Sequence, residues 1–435
     1  MRIGRTLPPA ATPIGIAQIL SGIRGIIRGA KEPVRFQSEL KEHFGVRHCF
    51  PVSSGKAAFA LTLRALKEIH PGRDEVLIPA FTCYSVPSSV IRAGLRIRLC
   101  DLDPDCLDFD FAQLAAVLSG PSRPRQADAS PDGGTAQSAI KTETAADSLA
   151  GSTERLLAIV PTHLFGFPAD IPRLRKLVQD PGITIIEDAA QAMGEMREGR
   201  RLGTLGDVSF FSLGRGKALS TVEGGVILTD RDDIAAVLSR HVASLPDYGF
   251  WQQAGLILKA AGLMLFTHPL LFWIPRSMPF LRLGQTLIEP HFSIHKMSPF
   301  QAGLTANWRL RLQKLREHRM TNVIRWTRFL DESGRPGSYF QQSQLFGLLR
   351  FPIRIRDSEK RSWLLQKSAQ AGAGVMPVYP ESINRVSGLK GEIPDGSFPV
   401  AESYARELVT LPTHDYVTPK DEMAVRRLLS QALAG

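Results

Sequence analysis

The sequence predicts an α/β protein: a large domain around a mostly parallel seven-stranded sheet, followed by a smaller C-terminal α/β domain. Three observations predict it. Between residues 47 and 230, short β-rich runs alternate with helix-period segments, the pattern of strands joined by crossover helices. Those runs are largely apolar, as strands covered on both faces must be. Finally, 435 residues with 43% apolar and 22% charged side chains can fill two cores, which excludes a disordered tail or a disulfide-held peptide.

The strands are expected at 48–52, 75–78, 96–100, 156–160, 183–187, 208–212 and 225–228. The large domain takes in 1–250. Within it, 119–153 shifts to Ser, Thr, Ala, Gly, Asp and Pro with no aromatic residue, so it is expected as a disordered insertion unable to offset its ordering entropy. Residues 251–296 form an apolar helical segment. The small domain, 297–435, is expected to hold a long helix at 300–319, β-like runs at 348–355 and 374–379, and a last helix from Lys420.

The apolar stretch 254–274 is interrupted by Lys259 and by His268-Pro269, which argues against a spanning helix of ~20 residues. It reads instead as a subunit-interface helical pair, or as a segment lying in the bilayer surface with Phe266, Phe272 and Trp273 buried. Residues 13–28 repeat Ile and Leu at helical spacing and read as a helix docked on this protein or on a second copy. Lys and Arg total 53 against 42 Asp and Glu; the resulting +11 favours anionic partners without naming one. The four cysteines lack zinc-type spacing, so a reduced, cytoplasmic protein without metal is expected. Prolines follow the charged start, so no export signal is expected.

Three segments carry chemistry. Lys217 follows the run 208–212 in a glycine-rich loop, Ser212-Leu213-Gly214-Arg215-Gly216-Lys217, with Glu223-Gly224-Gly225 opening the next strand. A lysine held there away from water can form a Schiff base. Asp188 directly follows the strand 183–187, at the edge where open α/β sheets bind ligands, and a carboxylate there needs a cation such as a protonated pyridine nitrogen. Ser54-Gly55-Lys56 turns from a strand into a helix whose N-terminal N–H groups can cradle a phosphate. It is not a Walker loop, because neither Lys56 nor Lys217 is followed by Ser or Thr.

These segments, in this order with Ile78-Pro79-Ala80-Phe81-Thr82, His163-Leu164-Phe165-Gly166 and Glu187-Asp188-Ala189-Ala190-Gln191, resemble the sugar aminotransferases of the DegT/DnrJ/EryC1/StrS family. The resemblance implies the type I pyridoxal-phosphate fold, with pyridoxal 5'-phosphate as cofactor. Lys217 would hold the cofactor and shuttle the proton, Asp188 would face its ring nitrogen, and Gln191 its phenolic oxygen. Ser54, Gly55, Lys56 and Ser212 would meet its phosphate. Cys83 or the adjacent Tyr84 would cover its ring, where the family usually places an aromatic. His163 and Glu223 would stand near the substrate. Ile294 occupies the position of an Asn that usually reaches a neighbouring subunit, with His291, His295 and Lys296 as replacements.

The implied reaction moves an amino group, from glutamate, to a nucleotide-linked keto sugar in polysaccharide or glycolipid synthesis, in a homodimer without nucleic-acid partner or metal. Members that dehydrate sugars carry His at the lysine position, and Lys217 points to amino transfer. Two alternatives remain open from the apolar segment: an inactive protein of this fold at the inner membrane surface, or an enzyme for a lipid-linked sugar reached through peripheral contact by 254–274.

Overall fold

The computed structural model describes residues 3–119, 153–278, 286–341, 343–393 and 396–433. The expected insertion at 119–153 falls almost wholly outside them. All seven expected strands form: β1 His48–Val52, β2 Glu75–Pro79, β3 Arg96–Cys100, β4 Leu156–Ile159, β5 Thr184–Asp188, then, after a two-stranded ribbon of β6 Met196–Arg197 and β7 Arg200–Arg201, β8 Val208–Ser212 and β9 Gly225–Thr229. The sheet order is β1-β9-β8-β5-β4-β2-β3. Strands β3, β2, β4, β5 and β8 run parallel, while β9 pairs antiparallel with both β8 and β1. Two antiparallel pairings restore direction, so β1 points the same way as β8.

This topology gathers chemistry at one edge. The carboxyl ends of β1, β2, β5 and β8 and the amino end of β9 all open there, as open α/β sheets require for a binding crevice. The helix Gly55–Ile69 packs behind it, buried along most of its length, with Phe59 stacked on Phe210 at 4.7 Å.

The second sheet has three strands in the order β10-β12-β11: β10 Arg350–Arg354, β11 Met376–Pro377 and β12 Leu408–Pro412. Its central strand β12 and the helix Ser358–Ala371 are additions to the expected elements. The helix expected at 300–319 is two helices, Pro299–Gly303 and Trp308–Glu332, separated where Asn307 takes φ 55°. Asn tolerates this left-handed geometry better than most residues do. The longer helix bridges both sheets. Trp308 and Leu312 pack with Phe36 and Leu40, while Trp326 and Leu330 enter the core that reaches β10 and β12. Met297 shares a buried cluster with Ala302, Trp308 and Leu312.

The helix expected near 13–28 spans Ile16–Arg28 and docks through its glycines. A Cβ on Gly22 would strike the Phe300 ring, and one on Gly25 the Pro299 carbonyl. Ile16 and Ile27 face out, 66% and 83% exposed, while Ile19 and Ile26 pack against a buried apolar cluster. The apolar stretch forms a helix, Phe250–Phe266, and a short turn of helix, Trp273–Arg276; no described helix is long and apolar enough to cross a membrane.

His414 is buried, with Nε2 donating to the Pro8 carbonyl at 2.8 Å. Burial pushes its pKa down to about 4, from 6.5. The unfolded chain therefore takes up this proton first, and the stabilisation is present above about pH 6.5 and lost as the pH falls toward 4. A His414→Gln variant should show a flatter fall in Tm across that window than the parent protein; parallel curves would contradict the assignment.

Candidate active site

Five chain segments meet at the sheet edge around a cavity of about 240 Å³. Its walls include Ser54, Gly55, Lys56, Asp188, Gln191, Ser212, Lys217, Cys83 and Glu223, with Phe59 and Phe210 beneath. A second cavity of about 260 Å³ shares Cys83, Gln191 and Lys217 and is completed by Pro8, Arg215, Arg350 and Tyr379. Lys217 thus stands in the partition between two chambers.

Asp188 is buried, and Lys217 is half-buried because it faces the cavities. Among the described residues neither has an ion-pair partner. Asp188 accepts the Ala190 N–H at 3.0 Å, which satisfies one oxygen. Burial raises the Asp188 pKa against the pull of that N–H, Lys217 and His163. Removal from water lowers the Lys217 pKa; the Arg350 charge adds to this, while Cys83 and Asp188 oppose it. A carboxylate and an amine that line one cavity and lack counter-ions form a site awaiting a ligand with complementary ends.

The turn after β1 fits a phosphate. Ser54 caps the helix, its hydroxyl accepting the Ala57 N–H at 3.1 Å. A Cβ on Gly55 would come 2.7 Å from the Ser212 Cβ, and one on Gly225 would strike the Ser54 carbonyl, so glycine keeps the cradle open. The Lys56 side chain turns away to Glu289, 2.9 Å, and the Phe292 ring, leaving the helix N-terminus to do the binding. The donor set of amine, buried carboxylate, serine hydroxyls and N–H cradle fits pyridoxal phosphate.

Two expected residues lie elsewhere. Tyr84 is buried outside both cavities, its hydroxyl donating to the Glu381 carbonyl at 2.9 Å, and Cys83 is the neighbour that faces the cavity. His163 is also outside. Its Nδ1 accepts the Ala169 N–H, which leaves Nε2–H to donate to Glu187, 2.7 Å away. Glu187, its pKa raised by burial but drawn down on balance by His163 and backbone N–H groups, anchors the loop at Gly203 to Gly206. This pair supports the strand that carries Asp188. Glu223 lines the mouth and is tied to Lys259 at 2.5 Å. The segment with His295 and Lys296 pairs with the end of β1, where Ser53 N–H donates to the His295 carbonyl at 3.0 Å.

Sequence reasoning missed Arg350 and the backbone at Val222. Arg350 was legible only as a cation in an otherwise apolar run. Val222 has φ 73°, an unusual geometry for a β-branched residue that costs about 1–3 kcal/mol and places Glu223 and Gly224 at the cavity.

The fold is that of the type I pyridoxal-phosphate enzymes, and the cavity lies at the sheet edge that the fold opens. The chain belongs to the DegT/DnrJ/EryC1/StrS aminotransferase family, which matches residues 19–429. It is 32% identical over 241 residues to a UDP-N-acetyl-3-dehydro-α-D-glucosamine 3-aminotransferase of Acidithiobacillus ferrooxidans, covering 54% of each chain. It is 30% identical over 220 residues to GDP-perosamine synthase of Caulobacter vibrioides, 50% of each. These matches span about half the length of those curated relatives. In fold it is similar to Helicobacter pylori PseC, an aminotransferase involved in the biosynthesis of pseudoaminic acid, with TM-score 0.71, 14% identity and coverage of 98% and 99%. A family aminotransferase of Brucella abortus gives TM-score 0.67 and 20% identity, covering 96% of both chains.

Gly55→Ala should weaken pyridoxal-phosphate binding by at least tenfold, about 1.4 kcal/mol, in a fluorescence titration of the apoprotein. Unchanged affinity would show that Ser212 yields without cost to the cradle.

Proposed function

We propose that the protein is an aminotransferase that passes an amino group from glutamate to the keto carbon of a nucleotide-linked sugar, in making a polysaccharide or glycolipid. The observation that carries this is the Lys217 amine and the Asp188 carboxylate facing one cavity with no ion-pair partners among the described residues. The names of its relatives support the acceptor class, including a spore coat polysaccharide biosynthesis protein of Bacillus subtilis, 30% identical over 210 residues. A homodimer in the cytoplasm is part of this reading.

Bound pyridoxal phosphate supplies an electron sink that lets a proton leave the carbon bearing the nitrogen. The chain does the rest. The lowered pKa of Lys217 increases the share of free amine, the form that would hold the cofactor and take up the proton from the carbon. Asp188, fixed by the Ala190 N–H, offers a negative charge to the ring nitrogen. Ser54, the Gly55 and Lys56 N–H groups and Ser212 would hold the phosphate. Phe59 and Phe210 exclude water beneath it, and Gln191 and Cys83 border both chambers.

A protein of this fold without turnover would not need Lys217, Asp188 and Ser212 together. Glutamate with a panel of nucleotide-linked keto sugars should yield 2-oxoglutarate, and Lys217→Ala should lower turnover on the order of 10³-fold or more. Equal activity in the variant would refute the role of the lysine.

We also infer that one face of the protein meets an anionic bilayer, which would suit a lipid-linked acceptor. The helices Ile16–Arg28 and Phe250–Phe266 contain no acidic residue and expose Ile16, Ile27, Phe250, Trp251 and Leu258 beside Arg24, with Arg28 and Lys259 ion-paired to Glu32 and Glu223. Protein should float with phosphatidylglycerol vesicles, and a correctly folded Trp251→Ser, Leu258→Ser, Leu265→Ser variant should remain in the soluble fraction. Equal recovery of the two would remove this reading.

A further inference from the structure

One face of the helix Trp308–Glu332 turns three donors toward backbone carbonyls. Arg319, Asn322 and Trp326 stand at i, i+3 and i+7, so they lie along a single stripe. Trp326 Nε1–H donates to the Pro412 carbonyl at 3.0 Å, and Asn322 Nδ2 to those of Thr413 and His414 at 2.9 and 3.2 Å, which fixes the end of β12. Arg319 reaches instead into the loop after β8. Its guanidinium donates to the Ala218 carbonyl at 3.3 Å and to the Lys217 carbonyl at 3.4 Å. It also donates to the Thr12 hydroxyl at 3.2 Å, and that hydroxyl donates to the same Lys217 carbonyl. Arg319 is 3% exposed and has no ion-pair partner among the described residues. Burial pushes its pKa down to about 10, so the side chain is still a cation at neutral pH. A charge held in the interior by carbonyls and a hydroxyl alone is costly to bury.

We propose that Arg319, together with Thr12, is a positioning residue for Lys217: the two hold the backbone of the lysine so that its amine is presented between the two chambers. The loop cannot do this alone. Gly214 and Gly216 bracket Arg215, Gly216 takes φ 72°, and the Lys217 N–H meets the Gly214 carbonyl at a long 3.3 Å. The bonds from Arg319 and Thr12 go to main-chain oxygens and leave the Lys217 side chain free to face the cavities. They also join the lysine to distant elements. Thr12 belongs to the N-terminal strap; a Cβ on Gly216 would come 3.3 Å from the strap's Ala10 Cβ, and the strap's Pro8 carbonyl accepts from His414. One helix face therefore sets the strap, the Lys217 loop and the small sheet relative to one another. This assignment rests on the aminotransferase reading for the role of the amine and extends it to the groups that aim that amine.

The test compares Arg319→Lys, Thr12→Val and Thr12→Ser with the parent holoenzyme. Thr12→Val keeps the shape and removes the hydroxyl. Rapid mixing with glutamate follows the loss of the visible cofactor band, while hydrogen exchange of the peptide 213–221, read by mass spectrometry, reports on the loop without turnover. Misplacing a reacting group by about 1 Å costs on the order of 10²-fold, so Arg319→Lys should lose about that much in maximal rate and Thr12→Val about tenfold, each with half-saturating glutamate within about twofold of the parent value. Thr12→Ser should recover most of the Thr12→Val loss. The double variant Thr12→Val, Arg319→Lys should fall little further than Arg319→Lys alone, because both groups act on one carbonyl. Exchange should rise at 213–221 and stay at the parent level in β5. A rise in exchange with an unchanged maximal rate would make the clamp structural only and overturn the proposal, as would parent-like rate and exchange in both variants. Should Arg319→Lys fail to fold, the two Thr12 variants decide by the same criteria. A parent protein without a visible band would instead count against the aminotransferase reading, and exchange in Thr12→Val would then decide: a rise confined to 213–221 supports the clamp, and parent-like exchange overturns it.

Discussion

The structure depends on an electrostatic imbalance held open at one sheet edge. Asp188 is buried at the end of β5, and Lys217 projects from the loop after β8 into the same cavity, yet no ion pair joins them. The ladder opposite Phe210 fixes Asp188 at its strand end, whereas Lys217 lies in the loop that follows β8. The opposite charges are left unpaired across the cavity, and a ligand with a cationic end and an electrophilic end can satisfy both.

Much of the rest serves that separation. The His163–Glu187 pair and the Gly203 to Gly206 loop lock β5 from behind. Phe59 and Phe210 close the floor. The positive-φ backbone at Val222 brings Glu223 to the mouth, and Lys259 ties that glutamate to the helix Phe250–Phe266. The apolar helix is thus mechanically connected to the cavity as well as exposed on its outer side. The N-terminal strap contributes from the other direction, since Pro8, Pro9 and Ala10 line the second chamber and Leu7 bonds to the Gly372 carbonyl.

The large sheet was legible because its strands are short, apolar and punctuated by glycine and helical segments, so all seven emerged within about a residue of their bounds. Lys217, Asp188 and the Ser54–Gly55 turn were legible for a related reason: each is a polar or glycine-rich break at the end of an apolar run. The small sheet was harder. Strand β12 follows directly from the helix Pro399–Glu407 with no turn residue between them, and Asn307 interrupts a pattern that is helical on both sides. His163 misled because its burial and tautomer depend on Glu187 and Ala169, partners whose positions come from tertiary packing. Arg350 was not legible as a cavity-lining residue because its place in the same wall as Lys217 comes from tertiary packing, which no local pattern records.

The most direct measurement is borohydride reduction of the protein loaded with pyridoxal phosphate, followed by peptide mapping. The account predicts one stable adduct, on the peptide bearing Lys217, in an Asp188-dependent yield. An adduct on Lys56 or another lysine, or none in protein that has bound the cofactor, would contradict it.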